Sequence, residues 1–265
     1  MYSKPRLLLK YLRYFVTAAN GKGHGIHSPF VFDFITNILN DRNQYYAYRD
    51  IERLRERLLE SDETVDVLDL GAGSSVTSSG SRRVKDIARY VLKPGKYARL
   101  LFRMVNYYQP ATVVELGTSL GITTAYLAAA NKNRQVYTLE GAPAIATLAK
   151  RNFDLLHLTN VHQVTGNFDD TLQPLLEKIR KAAFVFVDGN HRKEPTVRYF
   201  NYLLPYIGND SILVFDDIHW SAEMEAAWED IKKHPAVTCT IDLFFIGIVL
   251  FSTDFKVKQD FTIRF

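Results

Sequence analysis

The stretch "VVELGTSLGITTAYLAAA", residues 113–130, decides the fold of this 265-residue chain. An apolar strand ends at Glu115, a turn bracketed by Gly117 and Gly121 follows, and an alanine-rich helix begins directly after it. A turn that joins a strand to a helix lets the backbone approach a bound nucleoside or nucleotide. The next apolar segment, "QVYTLE", ends at Glu140, about twenty residues downstream, where an acid can accept hydrogen bonds from ribose hydroxyls. The pattern predicts a nucleoside site on this turn.

A second glycine turn, "VLDLGAGSS" at residues 67–75, has a similar pattern. The segment after Gly73 is polar and then basic and helical, and no strand that ends in an acid follows before Pro94. We therefore interpret the Gly71–Gly73 loop as a tight turn or a wall over the nucleoside site, and not as a second cofactor site. The turn at Gly117 lacks the G-x-G-x-x-G series that cradles a pyrophosphate, which favours a ligand with ribose and adenine but no phosphates.

The composition indicates a folded protein and is compatible with a reducing compartment. Apolar residues make up 47% of the chain, which excludes wholesale disorder. The single cysteine, Cys239, excludes an intramolecular disulfide and suits the cytoplasm. No apolar run approaches the roughly 18 residues of a membrane span. No acid precedes Asp33, and we predict that "KPRLLLKYLRYFVTAA" forms a basic amphipathic helix packed on the domain; contact with a membrane surface or nucleic acid is the alternative.

Hydrophobic periodicity changes along the chain. Residues 1–95 are predicted to form a helical extension that covers the active site, and residues 96–265 an α/β domain. From Thr112 onward, short apolar strands alternate with helices, which predicts a Rossmann-like, doubly wound sheet. The final strands, "VTCTIDLFFIGIVLF" and "FKVKQDFTIRF", leave little room for a crossover helix. We therefore expect seven strands, the last of them antiparallel.

Taken in order, these motifs resemble the class I S-adenosylmethionine-dependent methyltransferases, in particular the O-methyltransferase branch related to the catechol and caffeoyl-CoA enzymes. "VVELGTSLGITTAYLA" resembles the first motif, "YTLEGAP" the second-strand acid motif, and "VTGNFDDTL" the segment that borders the adenine. "FVFVDGNH" and "ILVFDDIHW" resemble the ends of the fourth and fifth strands. The resemblance covers residues 96–265, and residues 1–95 match no pattern of those enzymes.

The resemblance implies S-adenosylmethionine as the cofactor. It places Glu115 near the amino-acid end of the cofactor, and Glu140 at both ribose hydroxyls. Asn167 and Phe168 would flank the adenine. For Phe168 the alternative is core packing, and for Glu140 a solvated strand end. The predicted cofactor-binding residues are Glu115, Gly117, Thr118, Ser119, Gly121, Glu140, Gly141, Asn167, Phe168 and Asp188.

Carboxylates also follow two later strands, at Asp188, Asp216 and Asp217. Parallel sheets bind ligands at these carboxyl ends, and converging carboxylates repel one another unless a cation sits among them. Oxygen ligands suit Mg²⁺, Mn²⁺ or Ca²⁺. The metal-dependent relatives hold two aspartates and an asparagine here, so Asp217 departs from their pattern and adds a negative charge. The alternatives are that Asp188 closes a turn and that Asp216 and Asp217 cap the next helix.

His191 stands three residues after Asp188, where the metal-dependent relatives have a general-base lysine. A histidine can accept a proton near neutral pH or ligate a metal, so both roles stay open. Asp188 and His191 are the predicted catalytic residues. His24 and His27 alone supply too few ligands for a transition-metal site.

We therefore predict a cytoplasmic S-adenosylmethionine-dependent methyltransferase that methylates a hydroxyl of a small molecule with the help of a divalent cation. The alternatives are an enzyme that methylates RNA or another macromolecule through the basic helix, and a binding module without catalysis. Nucleic acid is not an expected partner, no membrane span is expected, and the sequence is compatible with a homodimer.

Overall fold

The structure is a computed structural model that describes residues 1–67 and 80–265, so the Gly71–Gly73 loop lies outside the described residues. The chain forms two units. The first unit is made of Met1–Asp41 and Arg180–Phe265, and the second of Arg42–Ile179. The division into an extension of residues 1–95 and a catalytic domain of residues 96–265 stays a prediction.

The helices and strands follow one another in chain order as follows: α1 (Lys4–Thr17), α2 (Pro29–Asp33), a π-helical segment (Phe34–Leu39), α3 (Tyr46–Glu60), β1 (Thr64–Val67), β2 (Gly80–Arg83), α4 (Val84–Val91), α5 (Gly95–Tyr108), β3 (Thr112–Leu116), α6 (Ile122–Ala130), β4 (Gln135–Glu140), α7 (Pro143–Leu155), β5 (Val161–Thr165), α8 (Phe168–Ile179), β6 (Phe184–Val187), α9 (Lys193–Leu203), a 3₁₀ turn (Leu204–Tyr206), β7 (Ile212–Asp216), α10 (Ala222–Lys233), β8 (Cys239–Asp242), β9 (Ile246–Leu250) and β10 (Gln259–Thr262).

The second unit contains the glycine-turn stretch. Its strands β3, β4 and β5 pair in parallel in that order. Helix α6 is apolar around most of its circumference, and the amphipathic helices α3 and α5 pack against it. A helix that is apolar on all sides is expected to be buried by its neighbours, as α6 is. Leu116 at the end of β3 and Leu139 near the end of β4 are fully buried, so both strands end in a well-packed core.

A hairpin in the second unit was not expected from the sequence. Strands β1 and β2 pair antiparallel, with Thr64 opposite Arg83 and Val67 opposite Gly80. The basic segment that the sequence predicts to be helical becomes helix α4 only from Val84 onward. The reason is that residues 81–83 pair with β1 before the chain can turn into the helix.

The first unit holds five strands in the order β10-β8-β9-β7-β6. Strand β9 runs antiparallel to both β7 and β8, while β10 is parallel to β8. The predicted α/β, Rossmann-like class is confirmed. Among the described residues, the three strands β3, β4 and β5 of the second unit and the five of the first unit make eight, where seven were predicted. The expectation of an antiparallel last strand was wrong in position, because the reversed strand is β9 and the last strand is β10.

The extra strand arises from a turn inside the segment predicted as one strand. Phe244 has a left-handed backbone conformation (φ 71°), and its N–H donates to Oδ1 of Asp242 at 2.8 Å. The N–H of Leu243 donates to the carbonyl of Ile246 at 2.9 Å. These bonds fold the segment back on itself, so that β8 and β9 become neighbours.

Helix α1 packs on the first unit, as the sequence predicts. Tyr14, Ala18 and Phe244 form a buried cluster, with Tyr11 edge-on to Phe244 at 5.1 Å between ring centroids. In the part of the chain that is described, no helix combines the length and apolar character needed to cross a bilayer.

Candidate functional site

The glycine turn after β3 is held closely against the neighbouring strand and helix. The N–H groups of Gly117 and Thr118 donate to the carbonyl of Leu139, at 3.0 and 3.1 Å. Gly121 has a φ of +79°, and a Cβ there would lie 2.5 Å from a ring carbon of Phe153. Only glycine fits this position, because it tolerates the left-handed backbone and leaves room for the ring. The turn is thus a fixed backbone surface at the end of β3.

Glu140 connects the end of β4 to that turn. Its Oε2 accepts a hydrogen bond from the N–H of Ser119 at 2.8 Å, and its Oε1 accepts one from the N–H of Ala142 at 2.9 Å. Burial raises the pKa of the Glu140 carboxyl, and the hydrogen bonds from the backbone N–H groups partly oppose this rise. The predicted ribose acceptor therefore lies beside the predicted turn, with its carboxylate oriented by two backbone donors.

Glu115 is completely buried and belongs to a network of hydroxyls. Its Oε2 accepts from Thr138 Oγ1 at 2.7 Å and also from the Thr124 hydroxyl. The hydroxyls of Thr118 and Thr138 lie 2.6 Å apart. This network joins β3, β4, α6 and the turn. The sequence did not reveal Thr124 or Thr138, and contact of Glu115 with the cofactor stays a prediction.

The adenine-side residues follow β5, which pairs with β4 so that Thr165 lies opposite Glu140. The N–H of Gly166 donates to the carbonyl of Glu140 at 2.9 Å. Asn167 is exposed, and its Oδ1 accepts from the N–H of Asp169 at 3.2 Å at the start of α8. Phe168 is half-buried.

One buried amide supports the turn from α7 and was not identified from the sequence. The Nδ2 of Asn152 donates to the carbonyl of Leu120 at 2.9 Å, and Asn152 is only 6% exposed. A buried polar side chain in an otherwise apolar helix face is the signal that could have revealed it.

A second group of polar residues lies in the first unit, at the ends of β6 and β7. Ligand atoms of Asp188, His191 and Asp216 all lie within 4.8 Å of one another. The Nε2 of His191 is 3.5 Å from Oδ1 of Asp188. Asp217 does not belong to this group; it has a left-handed backbone (φ 53°), and its carbonyl accepts from the N–H of Trp220 at 2.9 Å.

The donor set of this group suits a divalent cation. Two carboxylates supply oxygen ligands of the kind that Mg²⁺ and Mn²⁺ prefer. The imidazole of His191 adds a nitrogen, which Mn²⁺ and other first-row ions accept more readily than Ca²⁺. The group therefore differs from the predicted all-oxygen set, because Asp217 lies outside it and His191 offers a nitrogen that can either ligate the ion or accept a proton.

The loop after β7 is fixed by a network that the sequence did not reveal. His219 bridges two acids, with Nδ1 3.0 Å from Oε1 of Glu225 and Nε2 2.8 Å from Oδ2 of Asp242. Burial alone would lower the pKa of His219, but the hydrogen bonds and charges of Asp242 and Glu225 outweigh it and raise the pKa. Glu225 also accepts from Lys10 and Tyr2 of the amino-terminal segment. The loop after β7 is thus connected to helix α1 through Glu225 and Lys10.

The raised pKa of Glu140 predicts that binding of S-adenosylhomocysteine, the demethylated form of the expected cofactor, depends on pH. Glu140 is the predicted ribose acceptor, and only its ionised carboxylate offers both oxygens as acceptors, so affinity for S-adenosylhomocysteine should fall as the pH drops through a range above that of an ordinary glutamate. Calorimetric titrations from neutral to acidic pH measure this fall. The matched variant Glu140→Gln cannot titrate and should show a flatter profile. An equal slope in both proteins would contradict the assignment.

Comparison with known proteins finds similarity to methyltransferases over part of the chain. Residues 114–218 match the family model described as a methyltransferase domain. The chain is 32% identical over 127 residues to a catechol O-methyltransferase of Niastella koreensis, and the match covers 47% of this chain and 55% of that protein. The chain thus spans about half the length of this curated relative.

Solved structures share the fold. An O-methyltransferase from Bacillus cereus in complex with S-adenosylhomocysteine has a TM-score of 0.56 at 17% identity, covering 83% of this chain and 97% of that one. The O-methyltransferase TomG from Streptomyces achromogenes, in complex with S-adenosylmethionine, has a TM-score of 0.53 at 19% identity and covers 61% and 82%. The chain therefore has the fold of the class I S-adenosylmethionine-dependent methyltransferases, and its residues 114–218 match the methyltransferase domain family.

Proposed function

We propose that the protein transfers the methyl group of S-adenosylmethionine to a hydroxyl of a small molecule. The observation that carries this proposal is the hydrogen bond from the N–H of Ser119 to Glu140. This bond places the acid predicted to bind ribose beside the glycine turn. The match of residues 114–218 to the methyltransferase domain family supports the same cofactor. The cytoplasmic location and a homodimer stay predictions.

The second unit would hold the cofactor through its turn and Glu140. Each carboxylate oxygen has a second lone pair, so Glu140 can keep its donors at Ser119 and Ala142 while it accepts from two ribose hydroxyls. The backbone of Gly117–Gly121 would lie beneath the nucleoside. When bound, S-adenosylmethionine supplies an electrophilic methyl on a sulfonium.

The first unit would prepare the acceptor. Asp188 and Asp216 would hold a divalent cation, whose chemistry is to lower the pKa of a coordinated hydroxyl and to orient it. We assign His191 as the group that takes the hydroxyl proton at Nε2, with Asp188 3.5 Å away to stabilise the imidazolium. Positioning the nucleophile in line with the methyl and the sulfur supplies further acceleration.

The acceptor we propose is a small molecule with neighbouring hydroxyls. If Asp188 and Asp216 hold a cation, it would favour an acceptor with two adjacent hydroxyl oxygens and would help to orient the hydroxyl to be methylated. The Niastella koreensis relative is named a catechol O-methyltransferase, which supports this class of acceptor.

Transfer of a radiolabelled methyl group from S-adenosylmethionine to catechol tests the proposal. We expect a methylated catechol and S-adenosylhomocysteine as products, with phenol as the poorer acceptor because it offers a single oxygen. A protein that binds S-adenosylhomocysteine but methylates no hydroxylated acceptor would instead be a binding module. Methylation of RNA with inert catechol would identify a macromolecular acceptor.

A further inference from the structure

One face of helix α1 packs against other elements of the first unit. Lys10 bonds to Glu225, with its Nζ 2.8 Å from Oε1. Tyr14 is buried and donates its hydroxyl to the carbonyl of Ile263. Tyr11 lies against Phe244, as described above. The helix is therefore already folded and anchored through this inner face.

The opposite face of α1 presents an apolar stripe to solvent. Residues spaced i, i+4 and i+7 in a helix lie on one side of it, which places Leu8, Leu12 and Phe15 together. Leu9 and Val16, seven residues apart, extend the same side. The exposed fractions along the stripe are Leu8 58%, Leu9 68%, Leu12 50%, Phe15 44% and Val16 76%.

Cations flank this stripe. Lys4, Arg6 and Arg13 are all exposed, and Arg6 and Arg13 lie on one edge because they are seven residues apart. The guanidinium carbon of Arg264 lies 4.4 Å from the centroid of the Phe15 ring. Residues 1–32 contain no aspartate or glutamate. The outer face is thus apolar at its centre and positively charged at its edges.

We propose that this outer face of α1 docks the protein on an anionic phospholipid surface. An amphipathic helix with an apolar stripe and cationic edges lies in the membrane interface, with its apolar side chains among the acyl chains and its cations at the headgroups. Each cation near an anionic leaflet adds attraction. Because the inner face already holds the helix in place, the protein can bind without first folding this segment.

The charges on this face favour an anionic lipid surface over two other possible binding partners, a second copy of the chain and a nucleic acid. A second copy of the chain would bring the same cations against Lys4, Arg6 and Arg13, and like charges oppose such pairing. A nucleic acid would use the cations but would leave five apolar side chains in water. An anionic lipid surface satisfies both the apolar and the charged parts of the face.

The test is co-sedimentation of the full-length chain with phosphatidylcholine vesicles containing about a third phosphatidylglycerol, and with pure phosphatidylcholine vesicles. We expect binding to the anionic vesicles that weakens at high salt. The variant Leu9→Gln/Val16→Gln should lower the partition coefficient by about tenfold or more. Arg6→Gln/Arg13→Gln should also lower it. The matched controls are Val257→Gln, at a side chain 73% exposed, and Lys256→Gln/Lys258→Gln, and both should bind like the wild type.

Several outcomes would overturn the proposal. They are no binding to anionic vesicles, equal binding to neutral vesicles, and equal loss in the control variants. A concentration-dependent dimer that Leu9→Gln/Val16→Gln disrupts, without vesicle binding, would assign the face to a second copy. Salt-sensitive binding to RNA that survives Leu9→Gln/Val16→Gln, again without vesicle binding, would assign it to nucleic acid. Binding of S-adenosylhomocysteine should be the same in all these variants, which separates this surface from the proposed catalytic function.

Discussion

Replacing Glu140 by alanine is expected to weaken the binding of S-adenosylhomocysteine by about a hundredfold or more. The substitution removes the proposed acceptor for both ribose hydroxyls, and hydrogen bonds to a charged partner contribute roughly 1.5–3 kcal/mol each. It also takes the carboxylate from the N–H groups of Ser119 and Ala142, so the turn loses its support. Isothermal titration calorimetry measures the change directly.

Two controls separate a lost contact from general damage. Glu177→Ala removes an exposed glutamate from α8 in the same unit and should leave the affinity unchanged. Thermal unfolding of Glu140→Ala, followed by circular dichroism, reports whether the turn remains folded. If Glu140→Ala folds and still binds with wild-type affinity, the ribose lies elsewhere and the placement of the cofactor is wrong.

Replacing Asp216 by asparagine is expected to lower methyl transfer to catechol by about a thousandfold, the scale of losing one principal electrostatic element of a site. Asp216 is 3% exposed and belongs to the group with Asp188 and His191. Asparagine keeps the shape but removes the charge that would hold the cation. Affinity for S-adenosylhomocysteine should change little, because the cofactor contacts proposed above are the turn after β3 and Glu140 at the end of β4.

Chelation provides the matching measurement on the unmodified protein. Turnover should disappear with a chelator and return with Mn²⁺ or Mg²⁺. The control Asp254→Asn, which changes an exposed aspartate of the same unit, should behave like the wild type. Turnover that resists the chelator would remove the cation from the mechanism.

Replacing His191 by glutamine tests the role of that side chain. If His191 transfers the proton, the variant should lose turnover and keep a Mn²⁺ affinity close to normal. A large loss of Mn²⁺ affinity would instead identify His191 as a metal ligand.

The features that were predictable from the sequence depend on local pattern. The turn between Gly117 and Gly121 and the acid at Glu140 follow from strand, turn and helix periodicity. Ser28 is followed by Pro29, a local pattern typical of a helix start, and its side chain accepts from the N–H of Val31 at the start of α2. Each of these signals lies within a few residues along the chain, where backbone preferences act directly.

The features that escaped prediction depend on contacts distant in sequence. The turn at Phe244 contains no glycine or proline, so nothing local marks the split between β8 and β9. The bond from Thr138 to Glu115 joins residues 23 positions apart, and His219 meets Asp242 only because β8 and the loop after β7 come together. Such pairings are set by tertiary packing, which overrides local preference.

The decisive measurement is a crystal structure of the complex with S-adenosylhomocysteine. We expect the nucleoside over Gly117–Gly121, with both ribose hydroxyls within hydrogen-bonding distance of the Glu140 carboxylate. A complex with this crevice empty and the nucleoside bound instead at Gly71–Gly73 would contradict the assignment of the cofactor site.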